Sequence, residues 1–326
     1  MKFLKYLPKT KTVNMMLVIF AAGFIAGVLT GWIRGIPFLI SEQKFSIGIY
    51  TGDSPFALKT FNDTDNPVLT WKDVTDVKAD FVADPFMVNH DGTWFMFFEV
   101  YNSNDQQGDI GLAFSKDGFN WDYSQIVLDE PHHLSYPYVF RYKDDYYMIP
   151  ESHAVYAVQL YKALDFPTKW LLIKNLIRGN YSDSSIFEYN KKWWIFCSDR
   201  NDILHLFWAN DLMGPWNEHP RSPVILGNGD IARPGGRVLL INGRVFRITQ
   251  DCYPTYGYQV RAFEIVELTE RTYKENTIPE NPILKPGGNG WNAEGMHHVD
   301  AHLIEKNRWL ACVDGIGLYW KFGFQY

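Results

Sequence analysis

Five carboxylates in this 326-residue chain sit where apolar runs begin or end, not on evidently solvated surface. Glu99 closes WFMFFE, Glu151 closes YYMIPE and Asp314 closes WLACVD, while Asp84 opens ADPFMV and Asp183 opens SDSSIF. Asp84 and Glu99 are fifteen residues apart with a turn at the midpoint, so a hairpin makes its two ends cross-strand neighbours. The same spacing pairs Tyr136 with Glu151 and Asp183 with Ser198, and aligning the later segments brings Gln250 and Asp314 to the equivalent place. Carboxylates crowded in this way push one another's pKa values apart, as acid/base chemistry requires. They also suit a sugar, whose hydroxyls bind carboxylates and whose C–H faces stack on rings, with Tyr136, Tyr138 and Trp291 as platforms. The competing reading is structural, since an Asp at the start of a strand often bonds turn amides.

Two further clusters bear on the same chemistry. Arg233 lies in ARPGG, where the Gly235-Gly236 pair permits close backbone approach, so an anionic group on a ligand is its expected guest. Alternatively, Arg233 pairs with Asp183 or Asp300. His297, His298, Asp300 and His302 crowd one segment but match no known metal-ligand spacing. His298 is read as a proton donor or sugar hydrogen-bonder with Asp300 beside it, and no metal or other cofactor is expected. There is no G-x-S-x-G elbow, GxxxxGK[ST] loop or HExxH pair, and the PGGNG run (286–290) stands alone.

The elements that must position these residues come from a repeat. ADPFMVNHDGTWFMFFE, SYPYVFRYKDDYYMIPE, SDSSIFEYNKKWWIFCS, ARPGGRVLLINGRVFRITQ and HVDAHLIEKNRWLACVD each read as a β-hairpin. The first three are followed by another strand, a turn and a tryptophan: Trp121, Trp170 and Trp216. Five four-stranded units, none able to bury both faces alone, predict an all-β, five-bladed β-propeller. FSIGIY (45–50) precedes the first unit and is expected to complete the last sheet, closing the ring. A β-sandwich of irregular hairpins is the alternative, and it leaves the five-fold similarity unexplained.

Composition agrees. A chain 46% hydrophobic and 21% charged, with 54 aromatic residues (12 Trp, 19 Tyr, 23 Phe), excludes disorder, collagen and coiled coil and favours strands. A formal charge of -6 gives no footprint for nucleic acid. Residues 13–33 are uncharged and long enough to span a bilayer, and Lys2, Lys5, Lys9 and Lys11 precede them. The expected organisation is a cytoplasmic basic tail (1–12), a transmembrane helix (13–33), a linker (34–44) and an exported propeller (45–326). A cleaved signal peptide competes with the retained anchor, whose apolar run exceeds the usual signal length. Cys197, Cys252 and Cys312 are an odd number at no metal spacing, so buried free thiols are expected.

The segments IGIYTGDSPF, ADPF, FFE, YPYVF, MIPES, ARPGG, ITQD and HHVDAH, with that around Asp183, resemble a known family. It is the propeller domain at the N-terminus of plant glucosamine inositolphosphorylceramide transferases and their bacterial relatives, matched from about residue 45 to 315. That family carries its glycosyltransferase activity on a separate domain, so the resemblance implies a fold and a glycan context, not a reaction. More distantly the chain is similar to five-bladed propeller glycosidases that cut arabinan and xylan. That similarity puts Asp84 at their base position, Asp183 at their pKa-tuning position, and Arg233 where their acid glutamate stands, leaving Glu99 or Glu151 to replace the acid. The readings that remain are a membrane-anchored enzyme acting on a glycan or glycolipid, a non-catalytic glycan-binding module, and a scaffold for a partner glycosyltransferase.

Overall fold

The computed structural model describes residues 18–21, 23–24, 39–61 and 65–322. The expected tail (1–12) lies outside these residues, as do most of the expected membrane segment (13–33) and residues 34–38 of the linker (34–44). Among the described residues no helix is long and apolar enough to cross a membrane. The chain forms two compact units, Gln43–Leu318 and the pair of segments Met1–Glu42 and Tyr319–Tyr326.

The larger unit is built on five sheets. Strands β1 (Leu39–Gly52) and β2 (Lys59–Thr60) come first, followed by blade one: β3 (Ala79–His90), β4 (Thr93–Asn102), β5 (Gln107–Ser115) and β6 (Asp122–Leu128). Blade two is β7 (Ser135–Tyr142), β8 (Asp145–Glu151), β9 (Ala157–Asp165) and β10 (Lys169–Arg178). Blade three is β11 (Ser182–Tyr189), β12 (Lys192–Asp199), β13 (Ile203–Ala209) and the short β14 (Asn217–Glu218), with β15 (Ile225–Leu226) also on β13. Blade four is β16 (Leu239–Ile241), β17 (Arg244–Asp251), β18 (Gln259–Leu268) and β19 (Tyr273–Thr277). The fifth sheet has the order β2-β1-β21-β20, with β20 (Val299–Glu305) and β21 (Arg308–Phe322), so the N-terminal strand completes the last blade as expected.

Local chemistry explains the repeat. The first hairpin turns at Asp91-Gly92, the third at Asn190-Lys191 and the fourth at Asn242-Gly243, all with positive φ, the turn whose twist matches paired strands. Inner strands such as β4 and β12 run almost continuously apolar because both blade faces pack on neighbours, whereas β6 and β10 at the rim are largely exposed. The recurring tryptophans close the same turn in three blades: Trp121, Trp170 and Trp216 donate their indole N–H to the carbonyls of Gly118, Pro167 and Leu212.

The register departs from expectation by one residue, three times over. Glu99 pairs with Ala83, Glu151 with Ser135, and Ser198 with Ser182, not with Asp84, Tyr136 and Asp183. In each blade an extra residue follows that pair, a β-bulge. Asp84 (φ 53°), Tyr136 (φ 44°) and Asp183 (φ 51°) occupy the bulges in the left-handed region. Such conformations cost about 1–3 kcal/mol in a non-glycine residue and persist only where surrounding contacts impose them. Here they turn three consecutive blade openings toward the channel axis.

Candidate functional site

The channel is plugged. Tyr136, 0% exposed, reaches from blade two across the axis, where its hydroxyl meets Ser185 Oγ (2.8 Å), donates to the Gly236 carbonyl (3.0 Å) and accepts the Gly236 N–H (2.7 Å). Phe86 and His298 pack edge-on to its ring. Tyr138 is equally buried, against Arg237 and Phe86. Neither tyrosine is a sugar platform, because both rings are consumed in the plug. Trp291 is likewise spent on packing: its indole fits over Gly48 and Gly315, where a Cβ would lie within 3 Å of it, and meets Tyr50 edge-on. The Gly235-Gly236 pair serves blade packing and not a ligand, since a Cβ on Gly236 would meet the Val299 carbonyl at 1.9 Å.

Further along the innermost strands, Asp300 is fully buried and saturated. It accepts from Arg237 Nε (2.6 Å) and Nη2 (3.2 Å) and from the Met87 N–H (2.7 Å), and His302 Nε2 lies at 3.0 Å. These partners outweigh burial and hold its carboxyl far below the usual range. Asp300 is a structural ion and makes no surface for substrate.

On the other side of the plug the bulges set Asp84 and Asp183 among Glu99, Glu151 and Asp314, a cup of buried carboxylates within electrostatic reach of one another. Burial pushes Asp84 up to about 8 against the pull of His297. Burial also lifts Glu99 well above the carboxylate range, and the charges of Asp84, Glu151 and Asp183 add to the shift. Glu151 goes the other way: burial opposes its charge, but His153, 2.5 Å away, and Arg233 hold it at about 2. Asp183 bonds Arg233 Nε (2.5 Å) and Gln250 Nε2 (2.9 Å), yet burial and the charge of Glu151 raise it to about 6. One cup therefore holds a carboxyl pushed toward its protonated form, Glu99, and one held toward its charged form, Glu151.

Arg233 is committed within this set. Besides Asp183 it reaches Glu151 Oε2 (3.5 Å) and Asn201 Oδ1 (2.7 Å), so the ion-pair reading holds over the anion-binding one, and Asp300 belongs to Arg237 instead. Gln250 and Asp314, 1% and 0% exposed, position other groups and do not face the opening. Asp314 accepts the backbone N–H of Asp84, His297 and His298. His298 is fully buried, and burial lowers it to about 4.

Sequence reasoning missed the rim. His133, whose Nε2 is 3.6 Å from Glu99, lies in the loop before blade two, and His153 follows Glu151 by two residues. Tyr256 stacks over the Arg233 guanidinium (5.2 Å) and edge-on to His297, remaining 42% exposed. Phe45 stacks on the other side of His297 at 4.5 Å. Tyr256 and Phe45 are thus the aromatic surfaces beside the cup. The ESH and YPTYGY segments carried a signal, but only loop positions set against the ring make it readable. Of the thiols, Cys197 and Cys312 are buried and free, while Cys252 is half-buried.

Comparison with known proteins follows this geometry. The model of the N-terminal domain of glucosamine inositolphosphorylceramide transferase 1 matches residues 40–316. The curated protein of that name from Oryza sativa subsp. japonica is 38% identical over 300 residues, covering 84% of this chain and 40% of the relative. That from Arabidopsis thaliana is 34% identical over 299 residues, covering 84% and 39%. The chain therefore spans about 40% of the length of the curated relatives it matches. Among solved structures, a putative glycoside hydrolase from Parabacteroides distasonis superposes with a TM-score of 0.60 at 12% identity, covering 79% of this chain and 95% of that one. The β-1,2-mannobiose phosphorylase from Listeria innocua gives 0.58 at 16%, covering 82% and 96%. At such identities the likeness shows the fold alone.

Proposed function

This chain belongs to the family of the glucosamine inositolphosphorylceramide transferase N-terminal domain, and from that premise we propose that its carboxylate cup works on a glycosidic bond of a glycan or glycolipid. The observation that carries the reading is a pair of buried glutamates with unequal partners: Glu151 has His153 at 2.5 Å and Arg233 at 3.5 Å, which favour its charged form, while Glu99 has only His133 at 3.6 Å and is pushed by burial toward its protonated form. Making or breaking a glycosidic bond needs an acid to protonate the departing oxygen and a carboxylate as base or nucleophile. Glu99 supplies the first role and Glu151 the second, with His153 and Arg233 keeping Glu151 charged. Asp183 and Asp84, raised to about 6 and about 8, tune the pair as they gain or lose their own protons, and Tyr256 and Phe45 offer faces to the sugar's C–H groups. The surplus of carboxylates disfavours an anionic sugar and favours a neutral or cationic one. In the same proposal residues 13–33 anchor the chain with its N-terminus in the cytoplasm and the propeller exported, where a glycolipid headgroup is within reach.

A second reading has one observation in its favour. Arg233 stands in the fourth blade and pairs with both Asp183 and Glu151, and a cup closed by ion pairs can recognise a glycan, alone or for a partner transferase, without reacting. The full chain in detergent, screened against glycans and glycolipids for bound, released and transferred sugar, separates the two. Glu99→Gln and Glu151→Gln should each lower turnover by roughly a hundred- to ten-thousand-fold while binding persists. Binding with no turnover in the wild type would instead establish the recognition module.

A further inference from the structure

The loop between blades one and two is fastened to a single glycine. Gly108, on β5, accepts the Leu134 N–H at its carbonyl (2.8 Å) and donates its own N–H to His133 Nδ1 (2.8 Å). In the β4–β5 ladder Gly108 pairs with Tyr101 and Ile110 with Glu99, so Gly108 lies diagonally from Glu99 across the strand pair. The approach is close: a Cβ on Gly108 would collide with the Leu134 carbonyl oxygen and stand 2.8 Å from both Glu99 Oε1 and His133 Cε1. Only glycine leaves room for the loop, the imidazole and the carboxyl to meet there. The Gly108 bond also settles which nitrogen of His133 carries hydrogen. A backbone N–H can only donate, so Nδ1 must offer its lone pair, and the ring hydrogen of a neutral imidazole falls to Nε2. Protonating Nδ1 would set two donors against each other. Burial already lowers the ring from its ordinary value, and His153 and His132 add to that shift against the pull of Glu151.

His133 is therefore a neutral donor, and Nε2 is the nitrogen 3.6 Å from Glu99 Oε1. That gap is longer than a hydrogen bond, but contacts of this kind in unliganded sites are often long and tighten around substrate. We propose that His133 is a positioning residue for the acid glutamate: locked by Gly108 as an Nε2–H donor, it makes Glu99 Oε1 the accepting oxygen and leaves the acid proton on Oε2. The role rests on Glu99 acting as the acid, and it specifies which oxygen does so. A neutral donor suits the task. It steadies the carboxyl without a positive charge, whereas a cation here would draw Glu99 into its charged form, as His153 and Arg233 do for Glu151. Asp84, Glu151, Asp183 and Asp314 act on Glu99 from β3, β8, β11 and β21, and each opposes its ionisation.

Two substitutions in the full chain, purified in detergent, separate the two contacts of the ring. His133→Asn keeps an acceptor where Nδ1 was and has no atom at the Nε2 position. His133→Gln brings an amide donor to the Nε2 position and gives up the Nδ1 acceptor. Infrared pH titration reads the Glu99 carboxyl, its band being the one that Glu99→Gln removes, and nuclear magnetic resonance of isotope-labelled histidine nitrogens reads the ring. His133 should carry hydrogen on Nε2 alone and stay neutral between about pH 5 and 8, where an ordinary imidazole titrates. His133→Asn should weaken Glu99 as an acid by roughly three- to ten-fold, the loss of one donor, and move its carbonyl stretch to that of a carboxyl without a donor. His133→Gln should keep both near the wild-type values, with folding of each variant checked by far-UV circular dichroism. Hydrogen on Nδ1, a ring that titrates as an ordinary imidazole, a Glu99 band unmoved in folded His133→Asn, or one moved as far in folded His133→Gln would each overturn the role. These readings need no sugar, so their failure is distinct from failure of the glycosidic reading, which the turnover screen decides.

Discussion

At one layer of the channel one buried carboxylate, Asp300, meets one half-buried guanidinium, Arg237, with a backbone N–H and His302 completing its shell. On the other side of the Tyr136 plug Arg233 pairs with both Glu151 and Asp183, and the carboxylates around it diverge: Glu151 is held at about 2, whereas burial pushes Asp84 up to about 8 and Glu99 well above the carboxylate range. Burial is nearly complete in both layers, so desolvation does not separate them. The count and placement of counter-charges does. A carboxylate matched by a guanidinium is pinned in its charged form and is structural, whereas carboxylates in excess of their partners must divide protons among themselves.

The largest expected effect tests that difference directly. Arg237→Met leaves Asp300 buried without its partner and should cost about 3–5 kcal/mol in denaturant unfolding. Arg233→Met removes the same group from the cup, but there Asp183, already raised to about 6, takes up a proton. Its cost should be less than half as large, and equal losses would break the comparison.

An intermediate effect is expected at the partition. Tyr136→Phe orphans the buried Gly236 N–H and should destabilise by about 1–3 kcal/mol in the same assay. It should leave the tryptophan-closed turns of the blades unaltered in hydrogen exchange. The smallest effect has the opposite sign. Glu99 is raised in the folded state, so its contribution is fully present below the ordinary glutamate value and is lost as pH rises through its raised value. Glu99→Gln should therefore match the wild type in acid and exceed it at neutral pH and above, by about 1 kcal/mol, the relief of one crowded charge. Thermal melts across pH would show the two curves diverging upward, and parallel curves would mean that Glu99 is not crowded.

Much of the fold was legible along the chain. Alternating aromatic runs, Asp-Gly and Asn-Gly turns and the spacing to Trp121, Trp170 and Trp216 are local signals, and the lone strand at 45–50 had one open place to go. The carboxylates of the cup were legible too, because an ionisable residue at the end of an apolar run has few reasons to be there. The bulge was not. Nothing in ADPF, SYPY or SDSS announces an extra residue, and the one-residue slip turned Asp84, Tyr136 and Asp183 onto the axis.

The chain alone determined which residues could meet: strand period, turn type and hairpin length are set by neighbours a few positions apart. Which of them are protonated, paired or sealed away was decided only when the ring closed. Asp314 receives the N–H of Asp84 from 230 positions away, and Tyr136 reaches Gly236 across 100. Desolvation and Coulomb energy depend on distance in space, and the distances that separate Glu99 from Glu151, or Asp300 from Asp84, exist only in the assembled propeller.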